Sequence, residues 1–238
     1  MKALIVSDIH ANVIALEEIW KREKDSDVIY CAGDLVDYGP YPKQVIEWLR
    51  EHQVICVKGN HDKHVALLYR SGKLWDVSDD ERTWAHDNAQ KLDEEHILYL
   101  EKLPNTVAFS MDSVDYCMQH MYRGYDTIQS LVHFNTFWEQ QTSRTIGDAL
   151  QPRRMIFGHT HRRAVHQLSD NDLWLNPGST SYRRNDDPTK VAHYMTIIDQ
   201  QIQFKELSYD RSPLMKATMA AVLSMQERRT AEIFFGKP

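Results

Sequence analysis

The chain has 238 residues, 42% hydrophobic and 26% charged, a balance that suits one sizeable globular core better than two small ones and argues against a disordered chain. Its formal charge of −6 argues against general nucleic-acid binding, although a nucleotide substrate stays open. Apolar runs such as Ala3–Val6 fall far short of a membrane span, and Met1-Lys2-Ala3 leads straight into a strand pattern without signal-peptide architecture, so a cytoplasmic protein is expected.

In chain order, Lys2–Ser7 is a short apolar run with a polar end, the pattern of a buried strand, and Val13–Lys24 places Val13, Leu16 and Trp20 at helical spacing. The unit repeats. Val28–Cys31 predicts a strand, Gly33–Pro42 a loop, and Lys43–Glu51 a helix favoured at its start by Pro42; Val54–Val57 then delivers Gly59–Asp62. Alternating strands and helices imply a largely parallel inner sheet, with ligands at the carboxyl ends of its strands. Asp79–Asn88 and Asp93–Lys102 predict two helices ended near Leu103-Pro104, and Thr106–Ser110 with Val114–Gln119 a hairpin that exits at His120. Asp126–Leu150 reads as mostly helical.

Met155–Phe157 leads into His159-Thr160-His161. The pairs Ala164–Leu168 with Leu173–Leu175, and Val191–Ile198 with Ile202–Leu207, predict antiparallel strands that extend a second sheet. Ser212-Pro213 opens a terminal helix running to about Phe234, with Met215, Met219, Leu223 and Met225 as its apolar side. No linker or repeat divides the chain, so residues 1–238 are expected to form one domain with 212–238 as a helical segment packed on it. Cys31, Cys56 and Cys117 each lie in an apolar stretch and read as buried free thiols. The arginine pairs Arg153-Arg154, Arg162-Arg163, Arg183-Arg184 and Arg228-Arg229 read as mostly solvated.

Four blocks carry chemistry: Asp8-Ile9-His10, Gly33-Asp34-Leu35-Val36-Asp37, Gly59-Asn60-His61-Asp62 and His159-Thr160-His161. Each follows an apolar run. Asp8 and His10, two apart, can point to one side of an extended loop and meet one ion. Asp34 has two oxygens and is the natural bridge between two cations, Asn60 offers a neutral amide oxygen, and His159 and His161 one imidazole each. Cysteine is absent from every block, so the set favours divalent cations that take nitrogen and oxygen, in metal-assisted hydrolysis.

The order Asp-x-His, Gly-Asp-x-x-Asp, Gly-Asn-His-Asp, a solitary His, then Gly-His-x-His resembles the calcineurin-like metallophosphoesterase superfamily from Met1 to about Leu207. Ser7–Asn12, Gly33–Pro40, Phe157–His161 and Asn176-Pro-Gly-Ser179 are similar to its small bacterial and archaeal branch, which includes diadenosine tetraphosphatase-like proteins and generic phosphodiesterases. The resemblance implies an α/β fold, a two-sheet αββα sandwich of mixed sheets with flanking helices. It also implies two divalent ions, with manganese first and Fe, Zn, Co or Ni as alternatives. Asp8, His10 and His161 would hold one ion, Asn60 and His159 the other, and Asp34 would bridge them.

A further histidine is expected on the second ion. His120 stands at the right place in the order, followed by Met121 where the branch has Gly, and His133 is the alternative; Ala11 likewise replaces a usual Gly. By the same resemblance His61 contacts the scissile phosphate and assists the leaving oxygen, Asp37 is its partner, and attack is in line by a metal-bound hydroxide. Asn176 and Ser179 shape the loop beside the metals, and Arg183 or Arg184 contacts a distal phosphate of the substrate.

The leading expectation is a metal-dependent phosphodiesterase or phosphatase for a small or nucleotide phosphoester, with Tyr38, Tyr41, Trp84, Tyr122 and Tyr182 as base-stacking candidates. A dinucleoside polyphosphate hydrolase or phosphoprotein phosphatase is the second, and a non-catalytic scaffold on the same fold the third. Membrane and general nucleic-acid partners are not expected. The substrate and the oligomeric state are not readable from the sequence.

Overall fold

Side-chain alternation along the strands sets the layers. A computed structural model describes residues 1–123, 127–142, 151–181, 186–187 and 189–236. Its elements in chain order are β1 (Lys2–Val6), α1 (Val13–Arg22), β2 (Val28–Cys31), α2 (Pro42–Glu51), β3 (Ile55–Cys56), α3 (Asn60–Arg70), α4 (Trp84–Lys91) and α5 (Glu94–Lys102). There follow β4 (Thr106–Met111), β5 (Val114–Gln119), α6 (Leu131–Thr142), β6 (Arg153–Ile156), β7 (Arg163–Gln167), β8 (Asp172–Pro177), β9 (Ala192–Ile198), β10 (Gln201–Leu207), α7 (Ser212–Ala220) and α8 (Met225–Phe235).

One sheet has the order β10-β9-β1-β2-β3 and the other β4-β5-β6-β8-β7. In each, three parallel strands are completed by antiparallel ones: β1, β2 and β3 in the first, β5, β6 and β8 in the second. Ala3 and Ile5 of β1 meet Tyr116 and Met118 of β5 between the sheets, while Leu4 and Val6 pack outward with Leu16, Ile19, Val45 and Leu49 of α1 and α2. On the far side Cys117, Met155 and Trp174 stand in register across β5, β6 and β8 and receive Phe134, Phe137 and Trp138 of α6. Helix, sheet, sheet and helix layers follow from these two alternations, the expected αββα sandwich. All three cysteines are buried and free.

Several expectations change. The strands Val191–Ile198 and Ile202–Leu207 do not extend the second sheet; β9 pairs with β1 and β10 with β9, at the edge of the first. Between 126 and 150 the described helix is confined to Leu131–Thr142, with 127–130 non-helical and 143–150 outside the described residues. The terminal helix is two helices. Ser224 caps α8 by accepting from Glu227 N, and Leu214, Leu223, Ala231 and Phe235 pack against Trp84, whereas Met219 and Met225 are exposed. A methionine stripe was the wrong guide because residues 221–224 break the helix, so no single helical face runs from Met215 to Met225.

Of the arginines expected in solvent, Arg153 and Arg154 are buried. Arg153 grips Asp172 through two bonds of 2.7 and 2.9 Å, and Arg154 donates to the Tyr116 hydroxyl and to Gln200 O. Charge-assisted bonds of this kind offset the cost of taking a guanidinium out of water. Arg228 donates to the carbonyls of Met219, Ala221 and Leu223, which binds the turn between α7 and α8. No helix among the described residues is long and apolar enough to cross a membrane.

Candidate metal centre

The parallel strands of both sheets deliver their carboxyl ends to one place. Asp8 and His10 follow β1, Asp34 follows β2, Asn60 and His61 follow β3, His120 follows β5, and His159 and His161 follow β6. The loops there are held in unusual backbone: Asp8, His10, Asp34, His159 and His161 have φ of 52°, 49°, 54°, 67° and 57°. Left-handed conformations cost a non-glycine residue about 1–3 kcal/mol and cluster at functional sites. Ala11, where the related branch carries Gly, is also left-handed at φ 52°. At Gly59 an added Cβ would lie 2.0 Å from Asp34 Oδ1, so only glycine lets this loop reach the cluster.

Two groups of potential ligand atoms result. Asp8, His10, Asp34 and His161 form one and Asp34, His120 and His159 the other, with the atoms of each group within 4.8 Å of one another. Asp34 belongs to both. His161 Nε2 is 3.2 Å from Asp8 Oδ1 and 3.1 Å from His10 Nε2. His120 Nε2 is 3.0 Å from Asn60 Oδ1 and 3.1 Å from Asp34 Oδ2. His133, the alternative to His120, lies on the exposed side of α6.

The donor set fits divalent cations on physical grounds. His120 Nδ1 lies 2.8 Å from Ala32 O, so that nitrogen carries a proton and Nε2 is the one that offers a lone pair when the ring is neutral. Three lone-pair atoms, His120 Nε2, Asn60 Oδ1 and Asp34 Oδ2, then face each other, and only a proton or a cation among them relieves the repulsion. The carboxylates show the same need. Burial opposes charge on Asp34, yet the neighbouring His120, His61 and His10 hold its carboxyl well below the usual range. His120 responds in reverse: burial disfavours its cation, but Asp34 and Asp8 raise it to about 10. Burial and the nearby His161 push His10 down, which leaves its imidazole a neutral donor.

His61 stands apart from the ligand groups. Its Nδ1 is 2.7 Å from Asp37 Oδ2, its Nε2 4.0 Å from Asp34 Oδ2, and its backbone N–H donates to Asp34 Oδ1 at 2.9 Å. Asp37 is 3% exposed, and its own N–H donates to Asn88 Oδ1. Burial lowers the His61 pKa, but the Asp37 bond and the Asp34 charge raise it further, to about 9. Asn176 Nδ2 donates to Gly158 O and Ser179 Oγ to Asp8 O, so both steady the ligand loops. Arg183, Arg184 and Tyr182 lie outside the described residues. Of the other aromatics considered, Trp84 and Tyr122 are buried and Tyr41 packs with the C-terminal helices; Tyr38 lines the cleft.

Sequence reasoning gave no role to Asp62. Its buried carboxylate accepts from four backbone N–H groups, Gly59 at 2.8, Leu35 at 2.8, Asp34 at 3.1 and Val36 at 3.2 Å, so one side chain clamps two ligand loops together. The available signal was an acid at the third position of α3, where it bonds back to the helix start. Asp62→Ala strands those four donors. It is expected to cost about 2–4 kcal/mol in thermal unfolding and to lower metal affinity about 10–100-fold. An unchanged melting temperature and metal titre would remove this positioning role.

A cleft of about 750 Å³ opens over the cluster, lined by Asp34, Asn60, His61, His159 and His161 together with Thr160, Arg162 and Arg163. A mixed α/β sandwich with carboxylate, imidazole and amide groups at its strand ends has the build of a metal-dependent hydrolase. The chain belongs to the calcineurin-like phosphoesterase superfamily, whose domain model matches residues 1–198. It is a hydrolase of phosphoester bonds. An uncharacterized protein of Methanocaldococcus jannaschii is 27% identical over 231 residues, covering 87% of each chain. The symmetrical bis(5'-nucleosyl)-tetraphosphatase of Pectobacterium atrosepticum is 31% identical over 74 residues, 29% of this chain and 26% of that one. The crystal structure of a metallophosphoesterase from Sphaerobacter thermophilus shares the fold at TM-score 0.70 and 23% identity, covering 98% of this chain and 99% of that one.

Proposed function

We propose that the chain hydrolyses a small phosphoester, with nucleotides as the favoured class, at a dinuclear centre. The observation that carries this reading is the pair of ligand groups that share Asp34. Asp8, His10 and His161 hold one ion, Asn60, His120 and His159 the other, and Asp34 bridges; manganese suits the mixed nitrogen and oxygen donors, with Fe, Zn, Co and Ni as competitors. Bound there, the cations supply Lewis acidity to the phosphoryl oxygens and lower the pKa of water.

The chain's own residues do the rest. Asp37 accepts from His61 Nδ1 and so turns Nε2 toward the cluster, where an Nε2–H can donate to the oxygen that leaves phosphorus. Asp62 keeps the Asp34 and Asn60 loops at fixed separation. The buried thiols Cys31, Cys56 and Cys117 suit a reducing compartment, and we place the protein in the cytoplasm.

A screen of the metal-reconstituted protein against phosphomonoesters, phosphodiesters, cyclic nucleotides and dinucleoside polyphosphates tests the function. Hydrolysis that follows added metal is expected for at least one class, and its absence from all would end the reading. The similarity to the Pectobacterium tetraphosphatase favours a second reading, a dinucleoside polyphosphate substrate. The same screen decides between them by relative kcat/KM. His161→Ala is expected to lose one ion preferentially, because His161 belongs to one ligand group alone. Metal content after dialysis checks this, and equal loss of both ions would contradict the division of ligands.

A further inference from the structure

The last helix reaches the cleft with an aromatic ring. α8 turns about 100° per residue, so three consecutive side chains part ways. Phe235 is 2% exposed beside Trp84 and Leu214, Ile233 is 50% exposed to solvent, and Phe234 between them lines the cleft over the metal centre. Glu227, seven residues earlier on the same face, is close enough to Asp37 to feel its charge. That face of α8 therefore looks onto the loop that carries Asp37 and Tyr38.

The position is fixed by more than packing. Arg228 ties α8 to the end of α7, Arg211 donates to Phe235 O, and Ser224 N donates to Arg82 O at 2.9 Å. Tyr38 lines the same cleft from the opposite end of the sequence, its ring centroid 4.6 Å from that of His61 and 5.3 Å from that of His10. The family match stops at residue 198, so Phe234 comes from a segment beyond it.

We propose that Phe234 and Tyr38 form an aromatic wall that takes the base of a nucleoside phosphoester, which makes Phe234 a specificity-determining residue supplied by the C-terminal helix. The cleft, at about 750 Å³, has the volume of sites for whole small molecules and far exceeds a phosphate group. Thr127, Gln129 and Thr160 line the same cleft. A planar heteroaromatic group satisfies both kinds of wall, with its face on the rings and its polar edge on the hydroxyls and amide; an alkyl group would leave those polar groups without partners. The proposal rests on the phosphoesterase reading for where the phosphate sits.

Equilibrium binding tests it without turnover. AMP and ribose phosphate, each as the methylenephosphonate whose C–P bond a phosphoesterase cannot cleave, are titrated by calorimetry into the full-length, metal-loaded protein and into Phe234→Leu, Phe234→Ala and Phe234→Trp. Wild type is expected to bind AMP roughly ten- to a hundredfold more tightly than ribose phosphate, as one stacked base contributes. Phe234→Leu keeps an apolar side chain and lacks the π face, so it should lose most of that preference with ribose phosphate affinity unchanged, and Phe234→Trp should retain it. Equal affinities in wild type, or equal weakening of both ligands by Phe234→Leu, overturn the wall. A kept AMP preference with no hydrolysis of any phosphoester would instead defeat the hydrolytic reading and leave the wall standing.

Discussion

Asp34→Asn is expected to release both ions together and to lower phosphoester turnover by about a thousandfold or more. Asp34 is 1% exposed and is the one residue common to both ligand groups. An amide keeps the shape but loses the negative charge and one of the two equivalent oxygens that a bridge requires. A centre that depends on two cations loses several kcal/mol of transition-state stabilisation with them, and each 1.36 kcal/mol is a factor of ten in rate. Metal content, thermal unfolding and kcat of the variant are to be measured together. Retention of one full equivalent of metal would show that Asp34 serves a single ion.

His61→Ala is expected to leave metal content near wild type and to lower turnover of esters with poor leaving groups by roughly 10²–10⁴, the range of lost general acid catalysis. The imidazole lies 18% exposed at the cleft, held by Asp37, and belongs to neither ligand group. Esters with good leaving groups need less proton donation and should suffer less. The comparison of the two ester types separates this role from simple damage to the site: a uniform loss on both, or a loss of metal, would assign His61 to structure. Asp37→Asn should reproduce a milder form of the defect, because the amide still supports the ring but no longer favours its charged form.

The candidate site was legible because its parts are local. An apolar run followed by Asp-x-His, Gly-Asp, Gly-Asn-His or His-x-His shows in a few residues both that a strand ends and that ligand-type side chains follow. Asp8, His10, Asp34, Asn60, His159 and His161 could be written down without knowing how the sheets pair, since carboxyl ends of parallel strands meet wherever such sheets form. His120 was harder. A lone histidine after a hairpin has no local signature, and its choice over His133 depends on β5 lying beside β6, which brings His120 to Asp34 while α6 turns His133 outward.

By itself the sequence determined the βα units of the first half and the residue types able to bind cations, because hydrophobic periodicity and ligand chemistry act over short stretches, while the two-sheet sandwich with flanking helices was implied by its resemblance to a known family. Only the tertiary structure decided that β9 and β10 rejoin the first sheet, since an antiparallel pair carries no mark of which edge it will cover. It also decided that Arg153 and Arg154 are buried, where Asp172, Tyr116 and Gln200 O wait across neighbouring strands and loops. The same holds for Asp62, whose four backbone donors come from two separate loops. The turn at 221–224 carries Phe234 to a cleft whose other described lining residues lie sixty or more positions earlier in the chain, the nearest being Trp174. Contacts between distant segments are settled by shape and by the pairing of buried polar groups, and no window along the chain contains both partners.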